Sequence, residues 1–147
     1  MKRVLGVDFG RVRIGLAISD ELQLLAHPLE TIAFGNKAVP RIAEIVRDKN
    51  VERVVVGIPK LMSGVAGTAA NEVMAFAEKL RGALSCEVVA WDERLTTVAA
   101  ERALREAGKK TRTTRGYVDQ VAAQMILQGF LDRQRERERV EELPRSG

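Results

Sequence analysis

Apolar residues follow two periods along the chain, and their spacing predicts a mixed set of strands and helices. Strand-like runs cover 3–9, 14–19, 29–34, 53–58 and 88–91. Helical spacing covers 36–49 and 69–84, and a third helix is predicted from Ala100, Ala103, Leu104 and Ala107. A last helix is expected from about Tyr117 to at least Leu131. The predicted order is therefore β-β-β-α-β-α-β-α-α.

The connections between these elements predict how the sheet is built. The turn at 10–13 is too short for a crossover helix, so the first two strands should pair antiparallel. A meander followed by β-α units implies an α/β fold, a mixed five-stranded sheet with helices on both faces and the first strand in the middle. This is the ribonuclease H-like (RNase H-like) arrangement. We expect one domain over 1–132 and a charged C-terminal tail over 133–147, either a frayed helical extension or disordered.

Composition limits the class of protein. The chain has 147 residues, of which 46% are hydrophobic and 30% charged, as in an ordinary globular domain. No apolar run approaches the length of a membrane span, and the N-terminus carries no signal-peptide core. The single cysteine, Cys86, cannot form an internal disulfide, so we expect a reducing, cytoplasmic location without a membrane partner. The single histidine, His27, precedes a proline and is interpreted as structural.

Basic residues are concentrated at one place. The net charge is +4, which alone is a weak indication of an anionic partner. Four cations and no acid lie within seven positions, directly before the helix that carries Asp119. They are Lys109, Lys110, Arg112 and Arg115. We predict that this run contacts a nucleic-acid backbone; the alternative is a solvated loop.

Three carboxylates stand where a structural explanation is incomplete. Asp8 lies inside an apolar strand on the face of Val4 and Gly6, and a buried aspartate is costly unless it is paired or bound to a metal. Asp92 and Glu93 end the fifth strand, and alternation along a strand should direct only one of them to the site. Asp119 shares a stripe of the last helix with small and apolar residues. Capping of turns and helix ends is the structural alternative for each acid.

The predicted fold brings these acids to one edge of the sheet. Clustered carboxylates repel one another unless cations intervene, and Mg2+ or Mn2+ prefers such oxygen ligands. Two such ions can activate a water and stabilise the leaving oxygen of a phosphodiester. The sequence therefore predicts a metal-dependent nuclease.

The motifs together resemble one family. They are Asp8-Phe-Gly10, Arg13-Ile-Gly15 with Ser19-Asp20, Val56-Gly-Ile-Pro59, Asp92-Glu-Arg-Leu-Thr-Thr97 and Asp119-Gln-Val-Ala-Ala123. In this order, from about Lys2 to Asp132, the chain is similar to the YqgF/RuvX family of bacterial RNase H-like nucleases. The segment Lys60-Leu-Met62 departs from the small and polar residues usual in that family's loop.

The resemblance implies catalysis and metal binding by Asp8, Glu93 and Asp119, with Arg13 as a contact to phosphate. It also implies a partner that is structured nucleic acid. The expected substrate is the 5' end of pre-16S rRNA, cut during ribosome biogenesis. The alternative is a Holliday junction in DNA recombination and repair. A resolvase should act as a symmetric homodimer, whereas a processing ribonuclease could act as a monomer.

Two further classes of protein compete with a nuclease. Sugar kinases and actin-like ATPases also open with a strand and an acidic, glycine-containing hairpin, but they need a second domain that this length does not provide. A non-catalytic RNA-binding module would use the same fold and merely tolerate the acids, because a fold alone does not determine function.

Overall fold

The first strand of the chain lies at the centre of a five-stranded mixed sheet. The computed structural model describes residues 2–59, 68–93 and 112–142, without the side chains of 68, 112–117 and 142. The strands are β1 (Arg3–Asp8), β2 (Arg13–Ser19), β3 (Ala26–Ala33), β4 (Val51–Ile58) and β5 (Glu87–Asp92). The helices described are α1 (Ala38–Asp48), α2 (Thr68–Ala83) and α3 (Arg112–Glu142).

The sheet order confirms the predicted topology. The strands lie in the order β3-β2-β1-β4-β5. The pairs β1–β2 and β2–β3 are antiparallel, and the pairs β1–β4 and β4–β5 are parallel. The two β-α units thus extend one side of β1 and the hairpins extend the other.

The beginning of one strand differs from the sequence prediction by three residues. Strand β3 begins at Ala26, before Pro28, and not at Leu29. It is an edge strand, and its register with β2 shifts between Leu16 and Ala17, so a proline without an N–H is tolerated there.

The last helix extends beyond the range that its apolar spacing predicts at both ends. Helix α3 begins at Arg112 and not near Tyr117, because its polar first turns carry no apolar spacing that could mark them. It continues to Glu142, so the segment 133–142 is described as a helical extension, one of the two expected alternatives. The helix predicted at 100–107 lies outside the described residues.

Two apolar cores form, one on each face of the sheet. Leu5 and Val7 of β1 point into the core beneath α1 and α2, while Val4 points into the core beneath α3. This alternation places Gly6 and Asp8 on the α3 face as well. Gly6 allows α3 to lie close, because a Cβ there would be 2.8 Å from the Cβ of Leu127.

Two glutamines of α3 bind the beginning of the edge strand β3. The backbone N–H of Ala26 donates to Oε1 of Gln128 at 2.8 Å, and Nε2 of Gln124 donates to the carbonyl of Ala26 at 3.0 Å. Nε2 of Gln128 also donates to the carbonyl of Leu24 at 3.0 Å. These bonds fix α3 across the antiparallel side of the sheet.

Two residues interpreted as structural have ordinary surroundings. Cys86 is a free, half-buried thiol, and its burial raises its pKa. His27 is exposed on β3. Among the described residues, no helix has the length and apolar character needed to cross a membrane.

The turn between β2 and β3 generates the first testable prediction. Oδ1 of Asp20 accepts hydrogen bonds from the backbone N–H groups of Leu24 and Leu25 at 2.8 and 3.0 Å, and the bond from Leu25 lowers the pKa of Asp20. Asp20→Ala removes these bonds and should therefore reduce the free energy of unfolding at neutral pH. Because water screens this exposed turn, the loss should be only about 1 kcal/mol. Urea denaturation measures the difference.

The same variant has a defined pH dependence. Since folding depresses the pKa of Asp20, its contribution is present above the unfolded value near 3.8 and is lost as the pH falls through the folded value. The difference between wild type and Asp20→Ala should therefore shrink below about pH 4. Glu21→Ala, which changes the neighbouring exposed acid, should behave like wild type. A difference that stayed constant down to pH 2 would contradict this account.

Candidate active site

Asp8 ends the central strand between two glycines. It is 5% exposed and pairs with Gly15 of β2. On the other side of Asp8 lies β4, in which Val56 pairs with Val7 of β1. The next residue of β4, Gly57, therefore lies beside Asp8. Neighbouring strands are about 5 Å apart. The row across the α3 face is thus Gly15, Asp8, Gly57, and only the middle position carries a side chain.

The space above Gly15 is filled by the backbone of α3. A Cβ at Gly15 would lie 2.1 Å from the carbonyl oxygen of Asp119 and 3.0 Å from its Cβ. No side chain fits there, so this glycine allows the helix to bring Asp119 next to the strand that pairs with Asp8. The predicted inward stripe of the last helix is confirmed, since Ala122, Ala123 and Ile126 are buried.

The space above Gly57 is filled by Glu93. A Cβ at Gly57 would lie 2.9 Å from Oε1 of Glu93 and 2.5 Å from Cδ1 of Ile126. Glu93 is 8% exposed, whereas its neighbour Asp92 is only partly buried. Of the two acids between which alternation alone could not decide, Glu93 is the one on the α3 face beside Asp8.

Asp119 is bound by an arginine of the hairpin. Nε of Arg13 donates to Oδ2 of Asp119 at 2.8 Å, and the two side chains are 36% and 16% exposed. Arg13 begins β2, directly after the turn that follows Asp8. The geometry therefore places the cation predicted to contact phosphate in direct contact with one of the three predicted acids.

The basic run is only partly described. Lys109 and Lys110 lie outside the described residues. Arg112 and Arg115 lie on the first turns of α3, where the backbone alone is described. Because the helix begins at Arg112, the part of the run from Arg112 to Arg115 is helical. The predicted contact with a nucleic-acid backbone stays a prediction.

The donors fit a hard divalent cation by their chemistry. Asp8, Glu93 and Asp119 offer carboxylate oxygens, which Mg2+ and Mn2+ prefer. Within the described parts of the chain, however, no three histidine, cysteine, aspartate or glutamate side chains are grouped closely enough to hold a metal ion. One oxygen of Asp119 is bound to Arg13, so a three-carboxylate site requires the side chains to move closer together.

Sequence reasoning missed the two glycines that make the site possible. Gly57 interrupts the β-branched run Val54-Val-Val56 and Gly15 interrupts β2. A glycine inside a strand often marks the close approach of another backbone or a ligand. That signal was present in the sequence, but the group that approaches each glycine could be identified only from the fold.

Comparison with known proteins identifies the family. The family model described as "RuvX: Holliday junction resolvase" matches residues 2–133. The chain belongs to the RuvX family. Family membership and the RNase H-like fold predicted from the sequence are thereby confirmed, as is the prediction of a nuclease that hydrolyses phosphodiester bonds.

Curated relatives cover almost the whole chain. A Bacillus cereus (strain B4264) protein named "Putative pre-16S rRNA nuclease" is 46% identical over 135 residues, which are 89% of this chain and 98% of that protein. A Bacillus mycoides (strain KBAB4) protein of the same name is 46% identical over 134 residues, covering 88% of this chain and 98% of its own.

Solved structures show the same fold at low identity. T. thermophilus RuvC in complex with Holliday junction substrate matches this RuvX protein with a TM-score of 0.60 and 17% identity, over 92% of this chain and 96% of that one. A second Thermus thermophilus RuvC structure matches with a TM-score of 0.52 and 19% identity, over 91% and 96% of the two chains. At these identities the likeness shows the fold alone.

The glycine beside Asp8 supplies a second testable prediction. In Gly15→Ala the added methyl group must displace the backbone of Asp119, which should cost about 1–3 kcal/mol of unfolding free energy. Displacing a site residue by about 1 Å should also lower the cleavage rate on the order of a hundredfold. Thermal or urea unfolding and a cleavage assay measure the two effects.

Gly82→Ala is the matched control. Gly82 lies near the end of α2, and nothing lies within 4 Å of an added Cβ. This variant should be neutral or more stable by up to about 1 kcal/mol, with unchanged cleavage. Equal behaviour of the two alanine variants would show that α3 does not depend on Gly15.

Proposed function

We propose that this RuvX protein is a metal-dependent endonuclease that cuts structured RNA, with the 5' end of pre-16S rRNA as its substrate. One observation carries the proposal: Asp8 lies between two glycines, with Glu93 above one and Asp119 above the other. The substrate follows from relatives named "Putative pre-16S rRNA nuclease", which are 46% identical and matched over 98% of their length. Such a substrate also fits a cytoplasmic enzyme with one nuclease domain over 1–132.

Asp8 and Glu93 are the proposed ligands of Mg2+ or Mn2+, and Asp119 is the third. The burial of Asp8 and Glu93 at neighbouring positions supports this assignment, because a divalent cation would reduce the repulsion between two buried carboxylates. When bound, the cation supplies the positive charge that activates a water and stabilises the leaving oxygen. The protein contributes by holding its carboxylates on one row and by excluding bulk water with α3.

Arg13 is the proposed contact to the scissile phosphate. Its guanidinium is partly exposed, stands beside Asp119 and offers donors in a planar fork that suits phosphate oxygens. A phosphate could replace Asp119 as the partner of Arg13, which would release the Asp119 carboxylate towards Asp8. Lys109, Lys110, Arg112 and Arg115 are proposed to hold the flanking backbone.

Holliday junction cleavage is the second candidate function. The description of the matched family, "RuvX: Holliday junction resolvase", favours it. Paired cuts in a symmetric junction require a symmetric homodimer, whereas processing of a single RNA strand is compatible with a monomer. Oligomeric state on the substrate therefore distinguishes the two candidates.

Cleavage assays test the proposed site. Labelled precursor rRNA and a labelled four-way junction are incubated with Mg2+, with Mn2+ or with EDTA. Asp8→Asn should reduce the cleavage rate by at least about a hundredfold. Even substitution of a residue that only hydrogen-bonds to a metal ligand typically lowers activity or metal affinity by about 10–100-fold. EDTA should have the same effect on wild type. Asp48→Asn, which changes an exposed acid at the end of α1, should cleave like wild type.

The outcomes separate the hypotheses. Junction cleavage by a dimer without cleavage of precursor RNA would favour the resolvase. Tight binding of either nucleic acid without cleavage in Mg2+ or in Mn2+ would support a binding module. Cleavage by Asp8→Asn at the wild-type rate would contradict the proposed mechanism.

Arg13 is tested by the salt dependence of binding. In metal-free buffer, Arg13→Gln should weaken binding and reduce the slope of log Kd against log salt by about one, as expected for one lost phosphate contact. Arg47→Gln removes an exposed arginine of α1 and should leave the slope unchanged. An unaltered slope in Arg13→Gln would limit this residue to its ion pair with Asp119.

A further inference from the structure

An aromatic cavity opens on the opposite face of the sheet from the acids. It begins one residue after Asp8, because Phe9 points to the α1 and α2 side. Its volume is about 360 Å³, at the lower end of the range for small-ligand sites. We call it the Phe9 cavity; its walls include Phe9, Phe34, Phe76, Arg11, Glu72 and Lys79.

Three rings form the apolar part of the Phe9 cavity. The rings of Phe9 and Phe34 pack edge to face, with their centroids 5.5 Å apart. The centroids of Phe9 and Phe76 are 4.9 Å apart. Phe76 is buried and Phe9 half-buried, but Phe34 is 47% exposed. The backbone N–H of Phe34 donates to the carbonyl of Val12 at 2.9 Å, which ties the backbone of Phe34 to the hairpin that follows Asp8. Phe34 therefore presents aromatic surface to solvent from a fixed position.

The polar part of the cavity wall is cationic on balance. Nε of Arg11 donates to Oε2 of Glu72 at 2.8 Å, so the charge of Glu72, the acid among the described wall residues, is already compensated. Lys79 adds a second cation to the same wall. An apolar ring surface with excess positive charge suits a ligand that is flat and aromatic at one end and anionic at the other.

We propose that the Phe9 cavity holds one unpaired base of the substrate strand, next to the phosphate that lies at Asp8. The base stacks on Phe34, and Arg11 and Lys79 contact the adjoining phosphates. The inference rests on the proposed function, since it requires a nucleic-acid strand across the carboxyl edge of β1. A nucleotide is the ligand with both required properties, and every base has a face that can stack on an aromatic ring.

This placement has a consequence for the choice of substrate. A base can enter the Phe9 cavity only when it is not stacked and paired in a duplex. The enzyme should therefore bind nucleic acid with unpaired nucleotides beside the cleaved bond more tightly than a continuous duplex of the same length. Because stacking does not read the base edges, little sequence preference is expected.

A fluorescence experiment tests stacking without any cleavage. Phe34→Trp places an indole in the cavity wall, and Leu25→Trp places one at an exposed position beside the other end of β3. Each variant is titrated in EDTA with a single-stranded RNA oligonucleotide, with native Trp91 contributing equally to both. We expect saturable quenching in Phe34→Trp and none in Leu25→Trp. A mononucleotide at the same concentration should quench weakly, because it lacks the phosphates of a strand.

Affinity measurements provide the second readout. Phe34→Ala should weaken binding of a forked duplex with a single-stranded arm on the order of tenfold, the usual loss when one stacking ring is removed. Phe34→Tyr keeps the ring and should stay within about twofold of wild type. Leu25→Ala is the matched control for loss of an exposed apolar side chain. Binding of a fully paired duplex should be the same in all four proteins.

The results distinguish this inference from the proposed function. Quenching in Phe34→Trp without cleavage by wild type in any metal would support the Phe9 cavity and contradict the nuclease. Cleavage by wild type with no quenching, or with unchanged affinity in Phe34→Ala, would overturn the inference and leave the nuclease intact. Equal quenching by mononucleotide and oligonucleotide would also overturn it, since a strand would then not be required.

Discussion

The close approach of α3 to the sheet is the constraint on which the site depends. The backbone of Asp119 lies where a Cβ of Gly15 would be, and the side chains of Ile126 and Glu93 lie where a Cβ of Gly57 would be. The central strand can therefore carry one buried acid and have two others brought to it from β5 and α3. Without these glycines, the backbone of Asp119 and the side chain of Glu93 could not lie as close to Asp8 as they do.

Positive charge is brought to this row by an arginine of the hairpin. Arg13 bridges the hairpin and α3 through Asp119, which offsets part of the cost of gathering acids at the edge of the sheet. Under the proposed mechanism the same guanidinium turns to a phosphate, and divalent cations take over its role towards the acids. Bound phosphate would neutralise the Arg13 guanidinium, and bound cations would neutralise the carboxylates. Binding of the substrate and binding of the metal would therefore each strengthen the other.

Sequence patterns predicted the parts of the molecule that depend on burial. The apolar run around Asp8 and the small-residue stripe around Asp119 marked both acids, and the short turn at 10–13 determined the antiparallel pairing of β1 and β2. The choice between Asp92 and Glu93 could not be made from periodicity, since it depends on which face of β5 meets α3. The polar start of α3 at Arg112 and the strand residues before Pro28 were missed because hydrogen bonding, and not apolar spacing, defines them.

The glutamines of α3 have a consequence for assembly. Ala26 lies on the outer edge strand, and its N–H and carbonyl, which an added strand would use, are both already bound by Gln128 and Gln124. The two side-chain amides thus take the place of a sixth strand at the beginning of β3. A second molecule approaching this edge meets satisfied groups in place of a template for pairing, so edge-to-edge aggregation is discouraged where the sheet would otherwise be open.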